Sequence, residues 1–169
     1  RLHRQIKSIR KKGYLIKEAS GEDEVRAFAE MYNENMDRLN AASHYYYDHN
    51  YFLELIGIQN ANNKLILIYD GSKLICGALI LLSKNIIRNH LSATSASYLK
   101  ESPSKLLTDE ISMIGRKLGM RTFHLGGGVG GKEDSLFQFK RYFSDQLLPD
   151  RIWCYIHNQE VYNDLVINR

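Results

Sequence analysis

Residues Leu125–Phe143 read LGGGVGGKEDSLFQFKRYF, and the way this stretch is placed decides the fold. The preceding residues, Arg121 to Leu125, have the pattern of a strand, and a helix is expected from about Asp134 to Phe143. Between them lie Gly126, Gly127, Gly128, Gly130 and Gly131. Glycine permits positive φ and lets a ligand come close to the backbone. Free N–H groups at the start of the following helix favour an anion there, as does the helix dipole. Asp134 or Ser135 is placed to cap that helix, and Lys140 follows within two turns to add a positive charge to the same pocket. The segment is not a Walker A loop, because no GK[ST] follows, and it comes too late in the chain for a dinucleotide fingerprint. A plain strand-to-helix connection has the same composition. In that case Leu136, Phe139, Tyr142 and Phe143 are core residues and Lys140 is a surface charge.

Working outward, the preceding helix opens at Ser102-Pro103, with proline in its first turn. Leu106, Leu107, Ile111, Ile114 and Leu118 keep helical spacing, and Gly119 ends it. Three strands come before it. Leu65–Tyr69 turns through Asp70-Gly71-Ser72 into Lys73–Leu82, a hairpin pattern, and Ile86–Thr94 follows. Earlier still, Tyr14–Ala19 alternates as a short strand and Ser20 is the expected N-cap of a helix through Leu39. A second helix spans about Asp48 to Ile58. The chain opens on a basic helix over residues 1–12, with Leu2, Ile6 and Ile9 on one face and Arg4, Lys7 and Lys11 on another. Beyond the glycine segment, a last strand is expected over Arg151–His157 and a short helix over Asn158–Val166. This order predicts one α/β domain over residues 1–169, with an open mixed sheet carrying helices on both faces.

Composition agrees with a folded domain. The chain has 169 residues, 44% apolar and 25% charged, and only two prolines, so no linker is evident. Cys76 and Cys154 are too few and too far apart for a disulfide framework, and each lies in an apolar run where a buried free thiol is expected. No apolar run reaches the roughly 18–20 residues of a membrane span. The net charge of +4 favours an anionic partner without selecting one. With no secretory signal pattern, a cytoplasmic location is expected, with peripheral contact at the inner membrane face as an extension of it.

The element order is also that of the GNAT acyltransferase fold, an α/β fold with a mixed, mostly antiparallel sheet flanked by helices. The glycine segment, together with SPSKLLTDEISMIGRKLGM before it, resembles the C-terminal part of FemABX-type aminoacyltransferases. These build peptidoglycan bridges from aminoacyl-tRNA. The basic opening helix and the stretch NENMDRLNAASHYYYDHNYFLEL are similar to that family too. The resemblance implies that this chain corresponds to the second of two GNAT-like domains, with an N-terminal GNAT-like domain upstream of it. It implies transfer of an activated acyl group from the end of a charged tRNA to the amine of a nucleotide- or lipid-linked cell-wall precursor. By the same resemblance Lys140 corresponds to the family's lysine near the acyl donor and Phe139 to its neighbouring aromatic residue.

One departure bears on the donor. Acetyl-CoA users of the wider GNAT group carry a glycine-bearing loop after the fourth strand, whose amides hold the pyrophosphate. Here that junction reads SATSASYLKESPSK and has no glycine. The expected donor is therefore aminoacyl-tRNA, ahead of acyl-CoA, and no bound cofactor is expected. Amine attack on an ester or thioester carbonyl requires oxyanion stabilisation and removal of a proton. The loop amides and Lys140 suit the first role. His90, His124, Glu133 and Asp134 are all open for the second. His44 and His49 lack metal-pair spacing, so no metal is expected. Ser92 and Ser95 lack a nucleophile-elbow motif, and Tyr45, Tyr46 and Tyr47 offer a surface for base stacking. Two other functions fit the sequence less well: a GNAT N-acyltransferase using acyl-CoA or acyl carrier protein in surface-polysaccharide metabolism, and a non-catalytic module binding nucleic acid or a membrane surface through its basic helix.

Overall fold

The computed structural model describes residues 1–149, 151 and 153–167. Helix α1 (Leu2–Arg10) leads to β1 (Leu15–Glu18), then α2 (Glu22–Arg38), a 3-10 turn at Ser43–Tyr45 and α3 (His49–Gly57). Three longer strands follow, β2 (Lys64–Asp70), β3 (Lys73–Ser83) and β4 (Ile86–Thr94). After a 3-10 helix at Ala96–Glu101 come α4 (Pro103–Lys117), β5 (Thr122–His124), α5 (Ser135–Arg141) and α6 (Gln159–Ile167). The sheet order is β1-β2-β3-β4-β5. The first four strands pair antiparallel through short links, whereas β5 runs parallel to β4. The parallel step has a geometric reason: a crossover through α4 returns the chain to the starting end of β4 before β5 begins.

Alternation along the long strands divides the interior into two cores. Ile66, Ile68, Ala78, Ile80 and Leu82 face α1 and α4, where Ile6, Ile9, Leu106, Leu107 and Ile111 complete one cluster. Leu65, Leu67 and Leu79 face the other way and meet Val25, Phe28, Tyr32 and Phe52 from α2 and α3. Phe28 and Phe52 cross edge to face with centroids 5.3 Å apart. Both expected helical layers are therefore present, one on each face of the sheet.

Several local expectations change. The N-cap of α2 is Gly21, and Ser20 instead bonds Glu24 through its amide at 2.8 Å and its hydroxyl at 3.1 Å. The basic opening helix is not a free cationic face throughout: Arg10 pairs with Asp109, at 2.9 Å, and with Glu110 on α4. Arg4, Lys7 and Lys11 remain exposed. Among the described residues of Arg151–His157 there is no strand, and Ile152 lies outside the described residues. With only three residues, β5 offers a short edge for a further strand. Trp153 and Tyr155 instead stack on each other at 5.6 Å, both exposed. Cys154 is consequently exposed, against the expectation of burial, whereas Cys76 is buried and its thiol is pushed up to about 12 by desolvation. Among the described residues no helix is long and apolar enough to cross a membrane.

Glu24 holds β1, β2 and α2 together. It accepts from Lys17 at 2.6 Å, from the Ser20 amide and from the Tyr69 hydroxyl at 3.0 Å. Led by the Lys17 contact, these bonds lower its carboxyl from 4.5 to about 2. A depressed folded value means that the unfolded chain binds the proton more readily in this range. The stabilisation is therefore present above 4.5 and disappears as pH falls toward 2. Denaturant melts of Glu24→Gln should show a weaker pH dependence than wild type across that window. Packing gives a second expectation. A Cβ at Gly77 would lie 2.7 Å from the Phe28 ring and 2.8 Å from Leu67, both fully buried. Gly77→Ala should therefore cost about 1–3 kcal/mol by overpacking, read from the shift of the denaturation midpoint.

Candidate active site

The site begins where β4 and β5 part. Their parallel pairing covers Ile86 with Thr122, Ile87 with Phe123 and Arg88 with His124, and there it stops. Strand β4 continues to Thr94, while the chain leaves β5 through Leu125 into the glycine segment. Strand β4 also changes register at this level. Leu79 pairs with Leu91 but Ile80 pairs with Asn89, so His90 is the extra residue of a β-bulge. Such bulges bend a strand and re-aim its side chains.

A cavity of about 380 Å³ lies against the end of β5. The glycine segment, His124, Phe137, Lys140, Arg141 and Leu148 line much of it. Its shape rests on two internal contacts. Lys140 donates from Nζ to the Gly127 carbonyl at 2.5 Å, closing the helix back on the loop. Asp134 is the N-cap of α5 and accepts from the Phe137 amide at 2.9 Å and from the Val129 amide at 3.0 Å. These backbone donors, Phe137 first, hold the Asp134 carboxyl below its ordinary value. The anion expected at this helix start is thus supplied by the chain itself. The amides of Gly131 and Lys132 bond inside the loop, to Gly128 and Val129.

Burial pushes the Lys140 ammonium below its ordinary pKa; Asp134 opposes this and Arg88 adds to it. Phe139, half-buried, meets Phe143 edge to face at 5.4 Å, and Phe143 packs against the α1/α4 core. Gly126, Gly130 and Gly131 all have positive φ, so the loop's path needs glycine there. Glu133 and Ser135 are exposed on the solvent side. His124, the last residue of β5, has a buried Nδ1 without a hydrogen-bond partner among the described residues. Lys140, the glycines and His124 therefore share one cavity, with Asp134 as its internal support and Phe139 anchoring the helix behind it.

On the neighbouring strand, His90 Nε2 lies 2.9 Å from the Tyr51 hydroxyl of α3. Burial and Arg88, in that order, lower the His90 imidazole below its ordinary value. Arg88 thus bears on both His90 and Lys140. Sequence reading missed Arg88 and Tyr51. A charged residue interrupting the strand pattern IIRNH was the available signal for the first, and nothing local marked the second. The tyrosines expected as a stacking surface divide: Tyr45 and Tyr46 are exposed, while Tyr47 stacks on Tyr51 at 4.1 Å.

A family model described as an acetyltransferase (GNAT) domain matches residues 1–141. No curated protein matches the chain in sequence. Solved structures share its fold at low identity. The aminoglycoside acetyltransferase meta-AAC0020 from an uncultured soil metagenomic sample, solved with sisomicin, superposes with a TM-score of 0.64 at 12% identity, covering 86% of this chain and 97% of that one. A possible acetyltransferase from Clostridium difficile 630 gives 0.63 at 12%, covering 85% and 99%. FemX gives 0.67 at 12%, covering 83% of this chain but 52% of that one, so this chain spans about half of FemX. At these identities the likeness speaks for the fold.

Gly128 is required for space rather than for φ, which is −80°. A Cβ there would run into the Lys132 carbonyl oxygen and the Asp134 carboxylate. Gly128→Ala should therefore break the Asp134 cap, and the Val129 and Phe137 amides should exchange with deuterium faster than in wild type, with the strand amides unchanged.

Proposed function

The chain belongs to the acetyltransferase (GNAT) domain family, and from that premise we propose that this acyltransferase is of FemABX type, moving an aminoacyl group from the 3′ end of a charged tRNA to an amine. The observation that carries the reading is the Lys140 ammonium, half-buried and closed on the Gly127 carbonyl inside the cavity at the end of β5. A donor ester brought to this cavity offers Lys140 a second carbonyl oxygen, in the same geometry as the one it already holds. As the amine attacks, negative charge grows on that oxygen, and a pre-placed cation stabilises it more than it stabilises the ground state. Gly126, Gly127 and Gly128 line the same cavity, where their backbone amides are the further donors of this reading.

The junction after β4 supports a tRNA-borne donor. Where acetyl-CoA users present glycine amides to a pyrophosphate, this chain has the 3-10 helix Ala96–Glu101, tied down on several sides. The Tyr98 hydroxyl donates to Asp70 at 2.7 Å, Lys73 donates to Ser97 at 3.0 Å, and Tyr14 donates to Glu101 at 2.5 Å. Helix α4 then begins at Pro103, which has no N–H to offer. A carboxylate and a proline thus stand where a pyrophosphate needs donors.

The same reading gives the protein a nucleotide- or lipid-linked cell-wall precursor as its acceptor and an N-terminal GNAT-like domain as its partner in forming the cleft. The fold shared with FemX, over about half of that chain, supports both. The family's description as an acetyltransferase favours a second reading, with acyl-CoA as donor. Transfer of labelled amino acid from mixed aminoacyl-tRNA to a UDP-linked pentapeptide bearing a free lysine amine distinguishes them. Wild type should transfer from tRNA, and Lys140→Met should lower the rate by about 10²–10³-fold. Stoichiometric binding of CoA by calorimetry, with no transfer from any aminoacyl-tRNA, would establish the second reading instead.

A further inference from the structure

We propose that His90 is the group that takes the proton from the attacking amine, and that Tyr51 is the positioning residue that holds its ring. This role rests on the acyl-transfer reading above. Four groups in the sequence suit the task, and their surroundings separate them. Asp134 is committed to two backbone amides and held below its ordinary pKa, which makes it a weak base. Glu133 is exposed on the loop. His124 ends β5 with its Nδ1 buried away from water. His90 alone combines a bulge, half-burial and an oriented ring.

The bulge sets the position. As the extra residue between the Leu79–Leu91 and Ile80–Asn89 pairs, His90 stands two residues past Arg88, where the β4–β5 ladder ends. His90 therefore lies on β4 just beyond the level at which β5 leaves the sheet. The Tyr51 hydroxyl at 2.9 Å from Nε2 fixes the ring, and Tyr51 is itself held by stacking on Tyr47 with an interplanar angle of 16°. When Nε2–H donates to Tyr51, Nδ1 keeps its lone pair. Tyr51 of α3 meets the imidazole, and Arg88 on its own strand bears on it. Burial first, and Arg88 second, lower the imidazole below its ordinary value and so favour its neutral form.

The proton balance is complete with the two substrates alone. The amine nitrogen bonds to the acyl carbon as its N–H proton passes to Nδ1 of His90. The acyl carbon–oxygen bond to the carrier then breaks, its electron pair leaves on the carrier oxygen, and the imidazolium returns the proton to that oxygen. The products are an amide, a free carrier hydroxyl and neutral His90. A thioester donor follows the same course with sulfur as the leaving atom.

The test follows transfer to the UDP-linked pentapeptide between pH 5 and 9, with aminoacyl-tRNA and acetyl-CoA as alternative donors. Wild type should show a rate that rises with pH through an inflection below the ordinary histidine value. His90→Gln, which retains a polar group beside Tyr51, should lower kcat about 10²-fold and abolish that inflection. Tyr51→Phe should lower kcat severalfold with KM unchanged. Arg88→Met should move the inflection upward, because a nearby positive charge disfavours the imidazolium. Circular dichroism and thermal melts establish that each variant is folded. Transfer by a folded His90→Gln with wild-type rate and pH profile overturns the role of His90 and leaves the acyl-transfer reading standing. No transfer by wild type from either donor overturns that reading, and this role with it.

Discussion

Everything at the candidate site depends on how briefly β5 pairs with β4. The parallel ladder closes over Ile86, Ile87 and Arg88 only, while β4 runs on to Thr94. Parallel pairing needs a crossover, and α4 supplies it, packed on the core that α1 also covers. If β5 continued alongside β4, its backbone would fill the gap and the cavity at its end would not form. Ending the ladder leaves β4 with backbone donors and acceptors facing a cleft rather than a neighbour. The third contact, Arg88 to His124, therefore marks the end of the parallel ladder and the level at which the glycine segment begins.

The residues on the two sides of the sheet here are held by different cores. The wall made by β5 and α5 is anchored through Phe123 and Phe143 to the α1/α4 cluster. Tyr51 belongs to α3, which packs with α2 on the opposite face. Two buried clusters, one on each face of the sheet, thus hold α5 and α3 in place. Interiors packed at crystal-like density yield little to side-chain rearrangement. The polar groups can therefore be few and still hold their relative placement, with Arg88 lying electrically between them.

The two-sided sheet was legible because the interiors of β2 and β3, Leu65–Ile68 and Leu74–Leu82, are apolar at every position, a pattern that a strand buried on both faces accounts for. The hairpin at Asp70-Gly71, the proline start of α4 and the glycine-to-helix order at Gly126–Ser135 were readable for similarly local reasons. The Lys140 position was legible from its spacing after the loop and again through resemblance, but neither says which carbonyl it meets. His90 was visible as a candidate, but its bulge arises from register with Leu79 and Ile80, which no local pattern encodes. The last strand failed for a physical reason. Trp153, Tyr155 and Ile156 have strand composition, yet strand formation needs a partner edge, and β propensity reflects packing on a neighbour more than a backbone preference. Cys154 was misplaced by the same inference.

The glycine segment is a site that binds parts of its own chain. Asp134 occupies the helix start where an external anion would sit, and the Gly127 carbonyl occupies the ammonium that a donor carbonyl would need. These two contacts differ in what they permit. The Asp134 cap is made to backbone amides on both the loop and the helix, so releasing it would unfix the loop. The Lys140 contact is a single bond from a flexible side chain to one carbonyl, and exchanging it for another carbonyl changes partner without changing geometry. The half-buried ammonium keeps two further N–H donors to offer beyond the one on the Gly127 carbonyl. The cap thus serves as scaffold, whereas the lysine contact is the one that can be exchanged without unfixing the loop, as the proposed role of Lys140 requires.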